Sequence, residues 1–427
     1  MLDVQSNETL CRTGPGTPMG KVLRRYWHPV ALSDDVTPGS KPKQLRIMSE
    51  DLVLFRDDDG RPGLLGLRCS HRLTSLAYGR VEDGGIRCPF HGWLYDVDGR
   101  CLQQPGEPAE STFKDKVRHP AYPCRDSGGL IFAYMGPPER QPPLPPFEVL
   151  ASKEGSRHAS YYGINSNYLQ NLEGALDHTH VPFLHAQPWS ERKHSIIPLS
   201  RDTLIVVETD FGLQSQASSP EARRLHREGY VGEDQERMPE EMDSSDYRYN
   251  YLIMPAGFMR VGDTRGLELQ STQFQSWYVP ADDEHTLRFM VAFIPLSFTG
   301  GEPYEFNLTR VAPEDVVVPG PWNDYLRNYE EVDTISGIPF RTGAEKVGLK
   351  GFQAQDGMAN ETPGPIVDRS KEHLGVGDRV IIKTRQMLLA AVEDVRAGSD
   401  PRSVELQPAE DGLVHIVQPD EQGVSVR

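Results

Sequence analysis

The sequence predicts an α+β protein of two domains: an all-β domain, then a domain in which an antiparallel sheet is flanked by helices. From about residue 43 to 136, short alternating apolar runs are separated by Gly and Asp, a pattern typical of strands and tight turns. Residues 137–147 hold six prolines in eleven positions, which a sheet interior does not accept. Beyond this segment, strand-like runs precede an apolar period of 3.6 residues in 378–398.

The first domain is predicted to span residues 1–145, with a β core at about 43–136. A short helix is expected in 17–28, beginning near Thr17 and Pro18. Two strands around a turn are expected in 52–69, and a second hairpin in 92–102. The apolar run GGLIFAYMG predicts one further strand before the proline-rich boundary.

The second domain is predicted to span residues 146–427. It should contain a helix at 168–181, opened by a capping box of Asn167 and Gln170. Strands are expected in the runs TLIVVETDF, YRYNYLIMP, FQSWYVP and LRFMVAFIPL.

Composition excludes several classes of function. A net charge of −17 argues against nucleic-acid or anionic-membrane partners, and no apolar run is long enough to cross a bilayer. The amino-terminal residues lack the features of a secretory signal, so a cytoplasmic location is expected. Five cysteines are an odd number, which favours free thiols or metal ligands over disulfides.

Two of these cysteines lie beside histidines. Cys69 and His71 form a Cys-x-His pair, and Cys88 and His91 form a Cys-x-x-His pair sixteen residues later. Each pair is expected in a loop between strands. Two thiolates and two imidazoles suit either a tetrahedral zinc or a [2Fe–2S] cluster with one iron for each pair of like ligands. The Pro and Gly in CPFHGW suit a tight loop whose amides point at sulfur.

A second cluster lies on the predicted helix. Glu173, Asp177 and His180 are spaced i, i+4, i+7 and would share one face, whereas His178 should face elsewhere. Pro182 would end or kink the helix and bring His185 towards His180. Two imidazoles and a carboxylate form the ligand set of a non-haem Fe(II) site.

The first cluster resembles the Rieske motif, in which two cysteines bind one iron and two histidines the other. The resemblance implies that Cys69 and Cys88 hold the buried iron, and His71 and His91 the outer one. The other cysteines, Cys11, Cys101 and Cys124, fit no such pattern and are expected to be inert thiols.

Residues 166–185 resemble the signature Asp-x-x-His-x-x-x-x-His of the Rieske non-haem iron oxygenases. The resemblance implies that His180 and His185 bind iron, and that Asp177 links His180 to a Rieske histidine of the neighbouring subunit. It also implies a role for Glu173 close to the iron.

Residues 352–375 resemble the phthalate-dioxygenase-type members, in which the Asp of a Gln-Asp pair completes the iron site. This implies Asp356 as the third ligand, with Glu361 as the alternative. Residues 13–30 resemble the amino-terminal segment of these oxygenases, so the resemblance extends over nearly the whole chain. It implies a helix-grip-like catalytic domain.

The family resemblance implies an oxygenase alpha subunit with a Rieske [2Fe–2S] cluster and a mononuclear Fe(II), which hydroxylates an aromatic carboxylate with O₂. The sequence has no nucleotide-binding glycine motif, so electrons should come from a separate NADH-dependent reductase, with or without a ferredoxin domain. A head-to-tail trimer or a hexamer is expected. Arg248 is the candidate for binding the substrate carboxylate, with Arg260 second.

Three other functions remain open at this stage. Oxidative O- or N-demethylation would use the same motifs. A Rieske electron carrier would not need the histidines and carboxylates of the second cluster. A zinc-stabilised binding module would need only the first cluster.

Overall fold

The computed structural model describes residues 2–180, 184, 204–218, 247–261, 273–304 and 351–416. The sequence-predicted ligand His185 lies outside these residues. Statements about structure below concern the described part of the chain.

The amino-terminal part begins with two helices, α1 (Val4–Cys11) and α2 (Pro18–Leu23). Helix α2 starts where predicted, because the Thr17 hydroxyl accepts a hydrogen bond from the Gly20 N–H and Pro18 occupies the first turn. Eleven strands follow: β1 (Trp27–Leu32), β2 (Lys43–Ile47), β3 (Glu50–Arg56), β4 (Pro62–Gly66), β5 (Arg80–Glu82), β6 (Gly85–Arg87), β7 (Leu94–Tyr95), β8 (Cys101–Gln103), β9 (Ala121–Tyr122), β10 (Cys124–Ser127) and β11 (Leu130–Tyr134).

These strands form three antiparallel sheets, in the orders β1-β11-β10, β2-β3-β4-β9 and β5-β6-β7-β8. The predicted hairpins are the pairs β3–β4 and β7–β8. The further strand predicted from GGLIFAYMG is β11. The all-β first region is therefore confirmed.

The carboxy-terminal part is built on one seven-stranded sheet in the order β12-β18-β17-β16-β15-β14-β13, in which every neighbouring pair is antiparallel. Its described strands are β12 (Gly155–Ile164), β13 (Ile205–Thr209), β14 (Gly212–Ser218), β15 (Tyr247–Ile253), β16 (Gly257–Val261), β17 (Gln273–Pro280) and β18 (Thr286–Pro295). The described helices are α3 (Glu148–Ala151), α4 (Tyr168–Leu176), α5 (Gly351–Glu361) and α6 (Arg379–Arg396).

The two faces of this sheet have different neighbours, because side chains alternate along each strand. On one face, Trp277 packs edge-on against Phe132 of β11, with ring centroids 5.6 Å apart. On the other face, Thr286 accepts a hydrogen bond from Asn171 of α4 at 3.3 Å, and Asn250 donates to the Leu176 carbonyl at 3.3 Å. We call this second face the helix-facing side of the sheet.

The hydrophobic cores divide the chain differently from the proline-rich segment. A small core is confined to buried residues between Val53 and Cys101. The large core joins α1, α2, β1 and β11 to the seven-stranded sheet and to α6. The predicted domain boundary at 145/146 stays a prediction, because burial ties the amino-terminal helices to the carboxy-terminal part.

Helix α4 is shorter than predicted. It ends at Leu176, with Asp177 in extended conformation (ψ 131°), so Asp177 and His180 lie beyond the helix. The Asn167 carboxamide caps the helix by accepting from the Leu169 N–H at 3.1 Å, as expected. Gln170 makes other contacts, described below, so the predicted capping box is wrong.

The longest described helix, α6, has 18 residues. It carries charged side chains throughout, and no described helix combines the length and apolar character needed to cross a bilayer.

Candidate metal centres

Two loops with the same backbone bonding carry the four predicted Rieske residues. In the first loop, the Cys69 N–H donates to the Thr74 carbonyl at 2.9 Å. In the second, the Cys88 N–H donates to the Trp93 carbonyl at 2.8 Å. Each cysteine therefore stands at the start of a closed six-residue loop.

The fifth residue of each loop has a left-handed backbone. Gly92 has φ 74° and donates to the Cys88 carbonyl at 3.1 Å, while Leu73 has φ 62° and donates to the Cys69 carbonyl at 2.9 Å. Glycine adopts this conformation without strain, whereas a branched side chain rarely does. Leucine nevertheless occupies this position in the first loop, and the Leu73 side chain is 69% exposed.

The four residues are arranged as two pairs of like ligands. Cys69 and Cys88 are buried, and burial together with the adjacent Cys69 thiol raises the pKa of Cys88. His71 and His91 are exposed, with ring centroids 4.6 Å apart. Two inner sulfurs and two outer imidazoles fit a [2Fe–2S] cluster with one iron for each pair.

Two aromatic residues, not singled out from the sequence, support this loop pair. The Tyr95 hydroxyl lies 3.3 Å from Cys69 Sγ. A donor on a ligand sulfur stabilises its negative charge and raises the reduction potential of a cluster. The Trp93 ring stacks on His71 at 4.5 Å between centroids, with a 3° angle between planes. This contact holds the imidazole in one orientation.

The remaining cysteines are inert thiols, as predicted. All are free and buried, and burial raises the pKa of Cys11 and Cys101 to about 11 and of Cys124 to about 12. A cysteine reacts as its thiolate, and a thiol with a raised pKa forms little thiolate at neutral pH.

His180 lies between two carboxylates. Its Nδ1 atom is 3.4 Å from Asp177 Oδ2, and its Nε2 atom is 3.7 Å from Asp356 Oδ1. An imidazole whose Nδ1 faces a carboxylate presents Nε2 to a metal, and Asp356 adds a carboxylate on that side. An imidazole beside a carboxylate fits non-haem Fe(II).

The turn after α4 is organised by Asp177 itself. Asp177 Oδ1 accepts from the Thr179 N–H at 2.8 Å and from its hydroxyl at 2.7 Å, while Oδ2 accepts from the His180 N–H at 3.2 Å. Burial would raise the pKa of Asp177, but His180 and these bonds outweigh it and lower that pKa. Asp177 is therefore ionised at neutral pH.

Helix α5, which carries Asp356, is fastened to α4 by Gln170. The Gln170 carboxamide nitrogen donates to the carbonyls of Asn360 at 2.6 Å and Gly364 at 2.9 Å, and its oxygen accepts from the Val367 N–H at 3.0 Å. These bonds explain why Gln170 does not cap α4.

The alternative ligand, Glu361, lies at the end of α5. Its Oε1 atom accepts from the Asn165 N–H at 2.9 Å. Of the two carboxylates on α5, the structure therefore brings Asp356 to His180.

The carboxylate of Glu173, on α4, is paired with two arginines. Its Oε2 atom accepts from Arg369 at 2.8 Å, and its Oε1 atom accepts from Arg385 of α6 at 2.6 Å. Both oxygens are thus occupied by guanidinium groups. These contacts give Glu173 a structural role in anchoring α4, and its predicted role close to the iron stays a prediction.

The remaining sequence-predicted residues lie on the sheet or against it. His178 lies beyond the end of α4, and its Nε2 atom is hydrogen-bonded to the Ser215 hydroxyl of β14 at 2.9 Å. Arg248 is in the predicted strand β15 opposite Ala217, but its side chain lies outside what the structure describes. Arg260 is on β16 opposite Asn250.

Sequence reasoning also missed Arg288, a cation at the third of the ten positions of β18. The signal was present, since a single charge interrupts the otherwise apolar run of TLRFMVAFIP. A charge inside a buried strand indicates a partner or a function.

Comparisons with known proteins agree with this architecture. The Rieske [2Fe-2S] domain family matches residues 26–120, and the family described as "LigXa C-terminal domain like" matches residues 271–410. The chain is 33% identical to phenoxybenzoate dioxygenase subunit alpha of Ectopseudomonas oleovorans, covering 95% of this chain and 89% of that protein.

Two further proteins are informative. The chain is 32% identical to the oxygenase subunit of 5,5'-dehydrodivanillate O-demethylase of Sphingobium sp. (strain NBRC 103272 / SYK-6), covering 96% of this chain and 85% of that one. The fold is similar, with a TM-score of 0.57 and 19% identity, to a chain from the reduced complex between oxygenase and ferredoxin in carbazole 1,9a-dioxygenase. That match covers 90% of this chain and 93% of the solved one.

Proposed function

This chain belongs to the Rieske non-haem iron oxygenases, as an oxygenase alpha subunit, and we propose that it hydroxylates an aromatic carboxylate. The observation that carries the proposal is His180, whose two ring nitrogens face Asp177 and Asp356. An electron carrier would not need this arrangement. The phenoxybenzoate dioxygenase relative supports an aromatic acid as the substrate class.

The chain's own residues divide the work between two centres. Cys69 and Cys88 would hold the inner iron of the cluster, with His71 and His91 on the outer one. His180, Asp356 and His185 would hold the mononuclear iron. When bound, the cluster supplies electrons one at a time and the mononuclear iron activates O₂. Asp177, 3.4 Å from Nδ1 of His180, would orient the imidazole so that its Nε2 lone pair is available to the metal.

We propose that the subunits form a head-to-tail trimer, or a hexamer of two such rings. Large apolar side chains are exposed on the Rieske domain: Leu73 at 69%, Tyr78 at 78%, Phe90 at 54% and Phe113 at 46%. The Phe90 ring lies against that of His91, with centroids 3.9 Å apart and the planes tilted by 39°. A contact between this tip and the iron domain of the next copy is heterologous, and it closes as a ring.

In such a ring, Asp177 joins His180 to a Rieske histidine of the next subunit. We expect Asp177→Asn to retain both metal centres but to lower turnover by roughly 10–100-fold, as loss of a partner behind a metal ligand does. Stopped-flow oxidation of the chemically reduced cluster in the presence of O₂ and substrate measures this step directly.

Asp210→Asn, at an exposed aspartate on the β13–β14 turn, is the control and should oxidise its cluster at the wild-type rate. Wild-type cluster oxidation in Asp177→Asn would exclude the bridging role. Loss of iron from that variant would instead make Asp177 necessary for metal binding.

Electrons are proposed to come from a separate NADH-dependent reductase, acting directly or through a ferredoxin. The complex of oxygenase with ferredoxin in carbazole 1,9a-dioxygenase supports a separate electron-transfer partner. A cytoplasmic location is proposed with it, since NADH is available there.

The substrate class is tested without knowing that reductase. Protein loaded with Fe(II) is reduced with dithionite, freed of excess reductant, and mixed with ¹⁸O₂ and a panel of benzoates, phenoxybenzoates and phthalates. We expect a hydroxylated acid carrying ¹⁸O, at up to about one product per chain. A panel that yields no oxygenated acid while the cluster remains competent for electron transfer would refute the proposed substrate class.

Oxidative O-demethylation is the second candidate, favoured by the dehydrodivanillate O-demethylase relative. The same single turnover with methoxybenzoates distinguishes the two reactions, because demethylation releases formaldehyde and leaves a phenol.

A further inference from the structure

Arg288 lies on the helix-facing side of the sheet, near the start of β18, the second strand from one edge. It lies on β18 directly between Tyr162 of β12 and Tyr278 of β17, which are its two cross-strand neighbours. Thr286, two residues earlier on the same strand, bonds Asn171 of α4. Because alternate residues share a face, Arg288 points to the same side as Thr286.

The contacts of Arg288 are all with neutral groups. Its Nη1 donates to the Tyr162 hydroxyl at 2.8 Å, and its Nε and Nη2 lie 3.4 Å from Ser276 Oγ. The guanidinium carbon is 5.4 Å from the centroid of the Tyr278 ring and 5.8 Å from that of Tyr162. The aromatic rings and the hydroxyls fix its position, and among the residues that the structure describes no carboxylate lies within salt-bridge distance of it.

In this respect Arg288 differs from the two buried arginines that pack against α4. Arg369 and Arg385 are both paired with Glu173. Arg288 forms no ion pair with any carboxylate in the described part of the chain. A half-buried guanidinium without a carboxylate partner is costly unless an anion binds there.

Asp356 acts on Arg288 electrostatically. Burial would lower the pKa of Arg288, but the oxygens of Tyr162 and Tyr278 and the carboxylate of Asp356 outweigh it and raise that pKa. The Asp356 carboxylate also helps to raise the pKa of both tyrosines. All three side chains therefore lie within electrostatic range of the proposed iron ligand, although none forms a salt bridge with it.

From this geometry we propose that Arg288 binds the carboxylate of the aromatic substrate and so positions its ring between the sheet and Asp356. This inference rests on the proposed function and names the residue that selects its substrate class. A planar guanidinium pairs with a carboxylate through two parallel N–H donors.

The test compares an acid with its neutral analogue. Dissociation constants of benzoate and benzamide are measured by calorimetry on the Fe(II)-loaded protein and on Arg288→Gln and Arg288→Lys. We expect Arg288→Gln to weaken benzoate by at least about 30-fold and benzamide by less than about threefold. Lysine keeps the charge but not the bidentate geometry, so Arg288→Lys should give an intermediate loss.

The matched control is Arg157→Gln. Arg157 is also half-buried on the sheet and stacks on an aromatic ring, that of Phe293 at 5.4 Å, but it lies on the opposite face. The Arg157→Gln substitution should therefore leave the dissociation constants of benzoate and benzamide unchanged. If Arg288→Gln does not fold, Tyr162→Phe removes the hydroxyl that accepts from Nη1 and should weaken benzoate selectively.

Each outcome decides a different claim. Benzoate binding that is unchanged in Arg288→Gln, or in Tyr162→Phe where that variant is used, overturns the role of Arg288. Equal weakening of benzoate and benzamide also overturns it, because that result indicates a structural role. Wild-type protein that does not prefer benzoates to their amides refutes the proposed substrate class itself, and with it this inference.

Discussion

Asp356→Ala is expected to remove the mononuclear iron and to abolish oxygenation, with the Rieske cluster left intact. The structure places Asp356 Oδ1 3.7 Å from His180 Nε2, on the side of the imidazole opposite Asp177. Loss of a direct ligand should exceed the roughly 10–100-fold cost of losing a partner behind a ligand. Iron per chain should fall from about three to about two, with acid-labile sulfide unchanged at about two.

Glu361→Ala is the matched control, because it removes the other carboxylate of the same helix. Glu361 accepts from the Asn165 N–H, so its loss should lower stability slightly and leave the iron in place. Iron retained in Asp356→Ala and lost in Glu361→Ala would reverse the ligand assignment. An electron paramagnetic resonance spectrum typical of a reduced Rieske cluster in both variants would show that the first centre is unaffected.

The Rieske loops could be predicted almost completely from the sequence. Each Cys–His pair lies within one loop that is closed by its own backbone hydrogen bonds: Cys69 with His71, and Cys88 with His91. Strand alternation was equally informative, because apolar and polar residues alternate along chain segments whatever their partners are. These features depend on residues close together in the chain.

The end of α4 could not be predicted from helical spacing. Periodicity placed Asp177 and His180 on a helix, but the Asp177 carboxylate accepts from the backbone N–H groups of Thr179 and His180, and the helix ends before it. Such local side-chain bonds compete with helical ones. The closeness of Asp177 and His180 was therefore predicted correctly, but from a geometry that the chain does not adopt.

Long-range contacts account for the rest. Gln170 matched a capping signal but is used to fasten α5, 190 residues further along the chain. Arg288 becomes significant only when strand register sets it between Tyr162 and Tyr278 and when α5 brings Asp356 near. Neither relation leaves a periodic signal in the sequence.

Glu173→Ala is expected to give the largest loss of stability among the residues considered. The Glu173 carboxylate neutralises Arg369, which is fully buried, and Arg385, which is 4% exposed. Its removal leaves two guanidinium groups inside the protein with one fewer counter-ion, and breaking such a buried pair costs about 3–5 kcal/mol. At roughly 2 °C per kcal/mol, the melting temperature should fall by about 6–10 °C, as measured by calorimetry.

Glu372→Ala is the control for this network. Glu372 also bonds Arg385, at 2.6 Å, but its side chain is 23% exposed, so water can replace it. Its loss should cost about 1 kcal/mol or less. Equal melting temperatures for the two variants would show that the buried pairing of Glu173 contributes nothing special.

The pH dependence follows from the same contacts. Burial would raise the pKa of Glu173, but Arg369 and Arg385 outweigh it, and the pKa in the folded protein lies below its ordinary value. A depressed pKa means that this stabilisation is present above the unfolded-state value of about 4.3 and is lost as the pH falls through the folded-state value. The gap in melting temperature between wild type and Glu173→Gln should therefore be widest near neutral pH and narrow in acid. A constant gap from pH 7 to pH 3.5 would mean that Glu173 stabilises the fold by packing and not by its charge.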